Sequence, residues 1–511
     1  MSFLFYPNHE HRCPNVSHCP HLGGAALGTL VLRANENDEF DRYLLGTIDA
    51  ERERNSRLFE ENQRLTKELE QVKLELKLER QTKFATNQQK QDGRPETGRS
   101  AAGTSSTLKP KKRGAPVGHP GWFRKMPTEY DWDVDVAPPK RCPQCTGHVT
   151  VNDATGCSEH LQEDVIDGQY RVVLYRHPAA RCDDCGERVQ QAGEGELLRS
   201  RIGPRLRSTA LFLRHVIGIS YRKIPQVVQE MFGIRFTPAA LIGFEKVAAD
   251  LAQPVVNDIA KKLASNEGAV HADETYSTLD GRRAYFWVHG TTRYIHFVFG
   301  TTRSGQVSRD VLGDYFSGTL VTDCYSGYIA HTAGAKQKCL SHLARTARDW
   351  QKLTEAGSPD FSFLEAVKQF VKRGCEFHRL RGKGTLGAKE IAVKQKWLRD
   401  ELSRLETWIV SHAKAITLQS RIVSYHNEWL VFVDDPRVPP TNNLAERALR
   451  PLVVLRKITF GHRELGGGER MAALMSVAET ARRHGHLPSS IFLALMTHPP
   501  NKVLRQLYAQ A

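Results

Sequence analysis

The run GAVHADETYSTL, residues 268–279, decides how the fold is read. It is apolar and rich in β-formers, and two similar runs follow after short turns: RAYFWVHGTT (283–292) and RYIHFVFGTT (293–302). Such runs bounded by turn residues read as strands. SGQVSRDVLGDYF (304–316) then reads as a helix. SGTLVTDCYSGY (317–328) reads as a fourth strand, ending in an acidic residue and a glycine turn.

Three antiparallel strands, a helix and a further strand make the opening of an RNase H-like fold. Asp273 lies within the first strand and Asp323 at the end of the fourth, and those strands neighbour each other in such a sheet. A charge inside an apolar strand is costly unless it is paired or bound to metal. Two adjacent carboxylates repel, and both pKa values rise without a cation. Magnesium suits hard oxygen ligands. Two such ions, or manganese in their place, would activate the attacking oxygen and stabilise the leaving one in phosphodiester transfer. Singly, each aspartate also fits a strand-end turn; together they point to metal.

A third carboxylate is expected from a later helix, and Glu446 in PPTNNLAERALRPLVVLRKITFG (439–461) is the candidate. Asn442, Glu446 and Arg450 follow at spacings of four and share a helix face. Alone, the stretch reads as a helix capped by Thr441 or Asn442, with Glu446 paired to Arg450. Set against the two aspartates, Glu446 becomes the third arm of a metal site, pointing inward and leaving Arg450 for phosphate. The intervening chain is mostly helical, as in FSFLEAVKQFVKR (361–373) and KEIAVKQKWLRDELSRLETWIVSHAKAI (389–416), and reads as an insertion.

At 511 residues the chain is long enough for two to four domains. Its formal charge of +15 favours a polyanionic partner, nucleic acid before a membrane surface. No apolar run reaches the length of a membrane span. The N-terminus lacks the pattern of a secretory signal. A cytoplasmic, nucleoid-associated protein is expected. In that reducing setting clustered cysteines more often bind metal than form disulfides.

The expected class is multidomain α+β. Residues 1–47 form a Cys/His-rich segment whose crowding at 11–21 fits no standard finger. Residues 48–84 suggest a coiled-coil helix: Leu58, Leu65 and Val72 recur every seven residues, Leu69 and Leu76 sit four beyond, and Asn62 would fix register. A lone amphipathic helix fits the same pattern. Residues 85–121 are a basic linker in which Lys109, Lys111, Lys112 and Arg113 either follow phosphates or are simply solvated. Residues 122–200 hold paired knuckles, Cys142–Cys145 and Cys182–Cys185, the pattern of four-sulfur zinc in a ribbon. Residues 201–264 look helical, with Gly233 and then Thr237-Pro238 opening a second helix. This is helix-turn-helix-like, or an ordinary helical hairpin. The catalytic core spans 265–340 and 431–490, with the insertion at 341–430 and a C-terminal helix at 491–511.

From about residue 110 onward the sequence resembles transposases of the insertion sequence 66 family, which use an acidic Asp–Asp–Glu triad. The resemblance rests on the paired knuckles, ADET, TDCYSGY, CLSHLARTARDW, NNLAERALRP and AETARRHGHLP. GAPVGHPG stands where that family commonly has a Gly-Gln-Pro-Gly-His pattern. Matching motif by motif, the resemblance implies that Asp273, Asp323 and Glu446 are the triad and that the four cysteines are the zinc ligands. It implies a DNA transposase acting on terminal inverted repeats and target DNA, as a homo-oligomer, with accessory proteins of the same element as possible partners. Asn442, Asn443, Arg447, Arg450, Arg456 and Lys457 would then orient the glutamate or meet phosphates. His342 would orient a phosphate or water, or satisfy the core. HRELGGGER (462–470) would be a mobile loop near the site, or a surface turn. Two other activities fit the same residues: a zinc-ribbon regulator or inactive derivative, and a nuclease that cuts without joining.

Overall fold

The computed structural model describes residues 51, 53–65, 124–151 and 156–509. The chain divides into two compact units, Met1–His119 and Pro120–Ala511. In the first unit, residues 53–65 are helical, with a Glu53–Arg57 ion pair at 3.0 Å. Leu58 and Leu65 of the heptad pattern are 48% and 53% exposed there. Leu69, Val72 and Leu76, the cluster at 11–21, and Lys109, Lys111, Lys112 and Arg113 lie outside the described residues.

The second unit opens with five strands: β1 (Trp132–Asp135), β2 (Val149–Val151), β3 (Cys157–Ile166), β4 (Gln169–Pro178) and β5 (Ala180–Cys182). β3 and β4 form a long hairpin, and β1 joins β4 in parallel. The hairpin turns at Asp167-Gly168, both at positive φ (52° and 74°). That is the primed turn whose twist matches two-residue hairpins. Short β2 pairs with β5 and carries the cysteine knuckles.

Three helices follow: α1 (Pro204–His215), α2 (Ile224–Phe232) and α3 (Pro238–Ala264). Gly233 ends α2 at φ 70°, and the Thr237 hydroxyl caps α3 by accepting from Ala240 N–H at 3.2 Å. The first half of α3 packs Leu241 and Phe244 against α1 and α2. Its second half sends Ala252, Val255, Ile259 and Leu263 into one core with Val270, Trp287 and Leu320 of the next sheet. Helix α3 is therefore a member of that sheet's core as well as the second helix of the α2–α3 pair.

The central sheet holds β6 (Ala269–Leu279), β7 (Arg282–Gly290), β8 (Ile295–Gly300), β9 (Tyr315–Thr322) and β10 (Thr332–Lys338), with α4 (Gln306–Leu312) between β8 and β9. Its order is β10-β9-β6-β7-β8. β6, β7 and β8 are antiparallel neighbours, whereas β9 runs parallel to both β6 and β10. Helices α5 (Leu340–Gln351), α6 (Pro359–Gly382), α7 (Ala388–Glu406), α8 (Ala413–Ser424) and α9 (Val431–Asp434) come next. They enclose their own core around Phe363, Phe370, Phe377, Leu402, Trp429 and Phe432. The chain then returns to the sheet as α10 (Asn443–Thr459) and α11 (Leu465–Arg483), and ends in α12 (Pro488–Thr497) and α13 (Pro500–Tyr508).

The glycines of HRELGGGER are not a free loop: they lie in the first turn of α11. A Cβ on Gly468 would come within 2.1 Å of the Phe299 ring, so glycine is what lets α11 approach β8. Helix α11 also closes the sheet edge. Ser476 Oγ accepts from Phe297 N–H at 2.8 Å, and Thr480 Oγ1 accepts from Ile295 N–H at 3.1 Å. The i, i+4 spacing of a helix thus meets the i, i+2 spacing of a strand edge, satisfying donors that would otherwise be orphaned. Ser476→Ala leaves a buried N–H unpaired, so a loss of about 1–3 kcal/mol is expected. A lower urea midpoint at unchanged slope would register it.

Candidate active site and metal centre

The two faces of β6 carry different chemistry because side chains alternate along a strand. Val270 and Ala272 face the α3 side, in a core with Trp287. Glu274 shares their parity, is paired across from Trp287, and is buried. It accepts from Tyr328 O–H at 2.8 Å and from Arg303 at 2.7 and 3.0 Å. His271 and Asp273 face the opposite side, where Val288, across from Asp273, shares a core with Ala445 and Leu449 of α10.

Asp323 is the first residue beyond β9. β6 and β9 are in parallel register, with His271 opposite Val321. Carried on by two residues, that register sets Asp323 beside Asp273 on the α10 side. Asp323 Oδ1 accepts from Tyr325 N–H at 2.8 Å, and Asp273 Oδ1 from Glu274 N–H at 2.9 Å. Burial first, then the charges of Glu274 and Asp323, pushes the Asp273 carboxyl up to about 7.

Helix α10 brings in Glu446 in its first turn. Asn442 holds the backbone position of the cap, but its side chain does not cap the helix. Instead its amide donates to Ala272 O at 2.8 Å, and its Oδ1 meets His271 Nδ1 at 2.9 Å. Asn442 is 0% exposed, so the expected contact with DNA or with Glu446 is corrected: it is a buried brace between α10 and β6. One turn later Glu446 lies 3.5 Å from His342 Nδ1 and 3.8 Å from Arg345, both on α5. These partners replace the Arg450 pairing of the isolated-helix reading; Arg450 itself is exposed.

His342 is the hub of this corner. Cys339, His342 and Glu446 present ligand atoms within 4.8 Å of one another. The Cys339 sulfur, with the charges of Glu446 and Asp323, raises the imidazole pKa. Cys339 in turn accepts from Asn442 N–H at 3.0 Å. Burial works against it, yet the His342, Ser341 and Asn442 donors hold the thiol below its usual range. Nothing in the sequence marked Cys339 or Arg345 beyond the C-x-x-H spacing of CLSHLAR.

Glu446 Oε1 and His342 Nδ1 are buried without a hydrogen-bond partner. Buried polar atoms are normally satisfied. Two aspartates side by side, one with its carboxyl pushed up to about 7, and a carboxylate oxygen without a hydrogen-bond partner form an oxygen-rich donor set suited to a hard divalent cation. Of the remaining sequence candidates, Asn443 accepts from Ser341 O–H at 3.0 Å, and Arg447 and Lys457 are exposed. Arg456 is drawn back onto β6, donating to Tyr276 O and lying 5.5 Å over the Tyr276 ring.

The Asp273 shift has a checkable sign. Unfolded, the group titrates near 3.8; folded, near 7. Between those values the folded chain holds the extra proton, so stability falls as pH rises and the penalty is complete above 7. Asp273→Asn removes the charge and keeps the oxygen that accepts from Glu274. In chelator at pH 8 it should gain on the order of 2 kcal/mol over the parent, with no gain at pH 4. Urea unfolding at the two pH values measures this; equal stability at pH 8 would refute it.

The second centre lies on the β2–β5 arm. Cys142 N–H donates to Gly147 O at 2.9 Å, and Cys182 N–H donates to Glu187 O at 3.0 Å, so the two knuckles repeat one turn. The left-handed position falls on Thr146 (φ 62°) in the first and on Gly186 (φ 70°) in the second. Sγ atoms of Cys142 and Cys185 lie 3.8 Å apart, and those of Cys145 and Cys182 3.4 Å apart. A zinc tetrahedron with bonds of about 2.3 Å has edges of about 3.8 Å. The Cys145 and Gln144 N–H groups lower the pKa of the Cys142 thiol, while the neighbouring sulfurs raise those of Cys145 and Cys185, so the crowded thiols favour thiolate at one position and need a cation to release the other protons. A Cβ on Gly147 would lie 2.9 Å from Cys182 Sγ, so that glycine is required for closure.

Residues 199–470, more than half of the chain, match the family model described as "Transposase IS66 family". The chain belongs to that family. Two relatives come from Sinorhizobium fredii (strain NBRC 101917 / NGR234). "Uncharacterized protein y4hP" is 24% identical over 432 residues, covering 74% of this chain and 76% of the relative. "Uncharacterized protein y4jD" is 24% identical over 204 residues, 37% of this chain and 39% of the relative. Family membership brings with it the expectation of divalent metal and of DNA as the partner. The matched span opens at the start of the helical region and closes within α11, so it takes in Asp273, Asp323 and Glu446 but not the four cysteines. No helix among the described residues is long and apolar enough to cross a membrane.

Proposed function

We propose that this member of the IS66 transposase family cleaves DNA at the ends of an insertion sequence and joins the freed 3′-hydroxyls to target DNA. The observation that carries this reading is the one-sided gathering of Asp273, Asp323 and Glu446 around His342. The order of the central sheet, three antiparallel strands with two parallel ones added on the β6 side, supports an RNase H-like core. Asp273, Asp323 and Glu446 would hold two magnesium ions. When bound, the ions supply Lewis-acid stabilisation of the phosphoryl oxygens and of the attacking and leaving groups. His342 sits against Glu446 and orients it toward the site. Arg345, Arg447 and Arg450 are exposed around it and would bind backbone phosphates. Water is the first nucleophile and the 3′-hydroxyl the second, so one donor set serves both steps. The knuckle arm and the α2–α3 pair would bind the inverted repeats, and an oligomer would hold two ends together.

The test is a supercoiled donor plasmid carrying the element's ends, incubated with the full chain, magnesium and target DNA. Joined products are expected. Cut ends without joining would instead establish a nuclease. Repeat binding without cleavage would establish a regulator or an inactive derivative.

A further inference from the structure

We infer that the chain carries a second zinc site, built from His160, His177 and Glu196 at the base of the knuckle arm. His160 is on β3 and His177 is on β4, diagonally across the hairpin: His160 pairs with Tyr175, two residues from His177. Diagonal residues of one face are within reach of each other. The segment after β5 folds back and brings Glu196 over them. Glu196 Oε1 lies 2.6 Å from His160 Nδ1 and 2.9 Å from His177 Nε2, so two nitrogens converge on one oxygen.

The outer contacts decide what can sit between them. His160 Nε2 lies 3.0 Å from Ser200 O. A carbonyl only accepts, so Nε2 carries a proton, and what joins Nδ1 to Glu196 is either a second proton or a metal cation. Two lone pairs facing each other repel unless a cation lies between them. The Glu196 side chain is 0% exposed, and among the described residues its ion pairs are with these two histidines alone. A fully buried carboxylate needs a compensating positive charge. A backbone carbonyl that fixes the tautomer of a ligating histidine is the usual outer contact of a metal site. The second carboxylate oxygen is likewise fixed, accepting from Gly193 N–H at 2.8 Å. Two imidazoles and one carboxylate are a donor set that zinc takes, with a fourth position left for water. With bonds of about 2.0–2.1 Å the ligand atoms stand about 3.3 Å apart, so the two contacts of 2.6 and 2.9 Å open by about 0.7 and 0.4 Å as the ion replaces a shared proton.

The position gives the ion a task. His177 lies five residues before Cys182, and Glu196 lies eight before Pro204, where α1 begins. An ion held here ties the hairpin to the strap leading into the helical region. It would fix the direction in which the four-cysteine arm projects.

The full chain, purified without chelator, should hold two zinc ions by native mass spectrometry. Replacement with cobalt should give thiolate charge-transfer bands from one ion and only weak d–d bands from the other. Glu196→Gln, which keeps the shape and one accepting oxygen, should lower the zinc content by one and leave the thiolate bands intact. A parent chain that saturates at a single equivalent with thiolate bands overturns the proposal, since a proton alone then joins Glu196 to the histidines. That parent measurement decides the matter even if the variant fails to fold.

Discussion

Glu446→Gln is expected to lower strand transfer by at least about a thousandfold, roughly 4 kcal/mol of lost transition-state stabilisation, while inverted-repeat binding stays within a few-fold. The substitution keeps the size of the side chain and removes the charge that a cation would meet. Glu446 Oε1 makes no hydrogen bond, and its ion pairs with His342 and Arg345 are long at 3.5 and 3.8 Å, so folding should be little affected. Asp323→Asn should behave alike, since its Oδ1 can still accept from Tyr325 N–H. The measurement is single-turnover joining of labelled ends in magnesium, alongside a binding titration on the same DNA. Undiminished joining by either variant would remove that residue from the active site. A parallel loss of binding would mean that the variant had damaged the DNA surface instead.

The second large effect is expected at the knuckles. Cys182→Ser should release one zinc equivalent and unfold the β2–β5 arm. Structural zinc contributes on the order of 10 kcal/mol of apparent binding energy that is also folding energy, and among the described residues the local apolar core there is small: Cys142, Cys182 and Val189, with Val149 beside it. The central sheet and the α5–α9 helices have separate cores and should melt as before. Metal analysis, proteolysis of the 140–190 region and a repeat-binding assay read the three parts. Full zinc content in the variant would overturn the four-sulfur site. So would a joining rate that ignored loss of the arm, as far as its role in end recognition is concerned.

Thr332–Lys338, with few apolar residues, was not legible in the sequence as a strand, whereas the four strands up to Asp323 were, because the signals are local: apolar runs bounded by short turns. The knuckles were legible for the same reason, as spacing alone brings two thiols of a C-x-x-C together. What escaped was set by long-range packing. TNNLAER looked like a capped helix start, and local rules make asparagine a cap. The tertiary fold takes the Asn442 side chain for His271 and Ala272 instead. The glycines of HRELGGGER signal flexibility by composition, but the bulk of Phe299 makes them a close-packing surface. Cys339, Arg345 and the His160–His177–Glu196 cluster have no local signature, because their partners come from distant segments. The Thr237 cap and the Gly233 turn could be read directly because both sides of each contact are within a few residues.

The Asn442 brace also sets a schedule. It joins positions 171 residues apart, and until it closes, the last acidic group is not in place. On the ribosome, Asp273 and Asp323 emerge with their strands long before Glu446 does, and the whole α5–α9 module is synthesised in between. On the reading proposed above, a chain that stops within that module carries both aspartates and lacks Glu446, so its acidic donor set is incomplete.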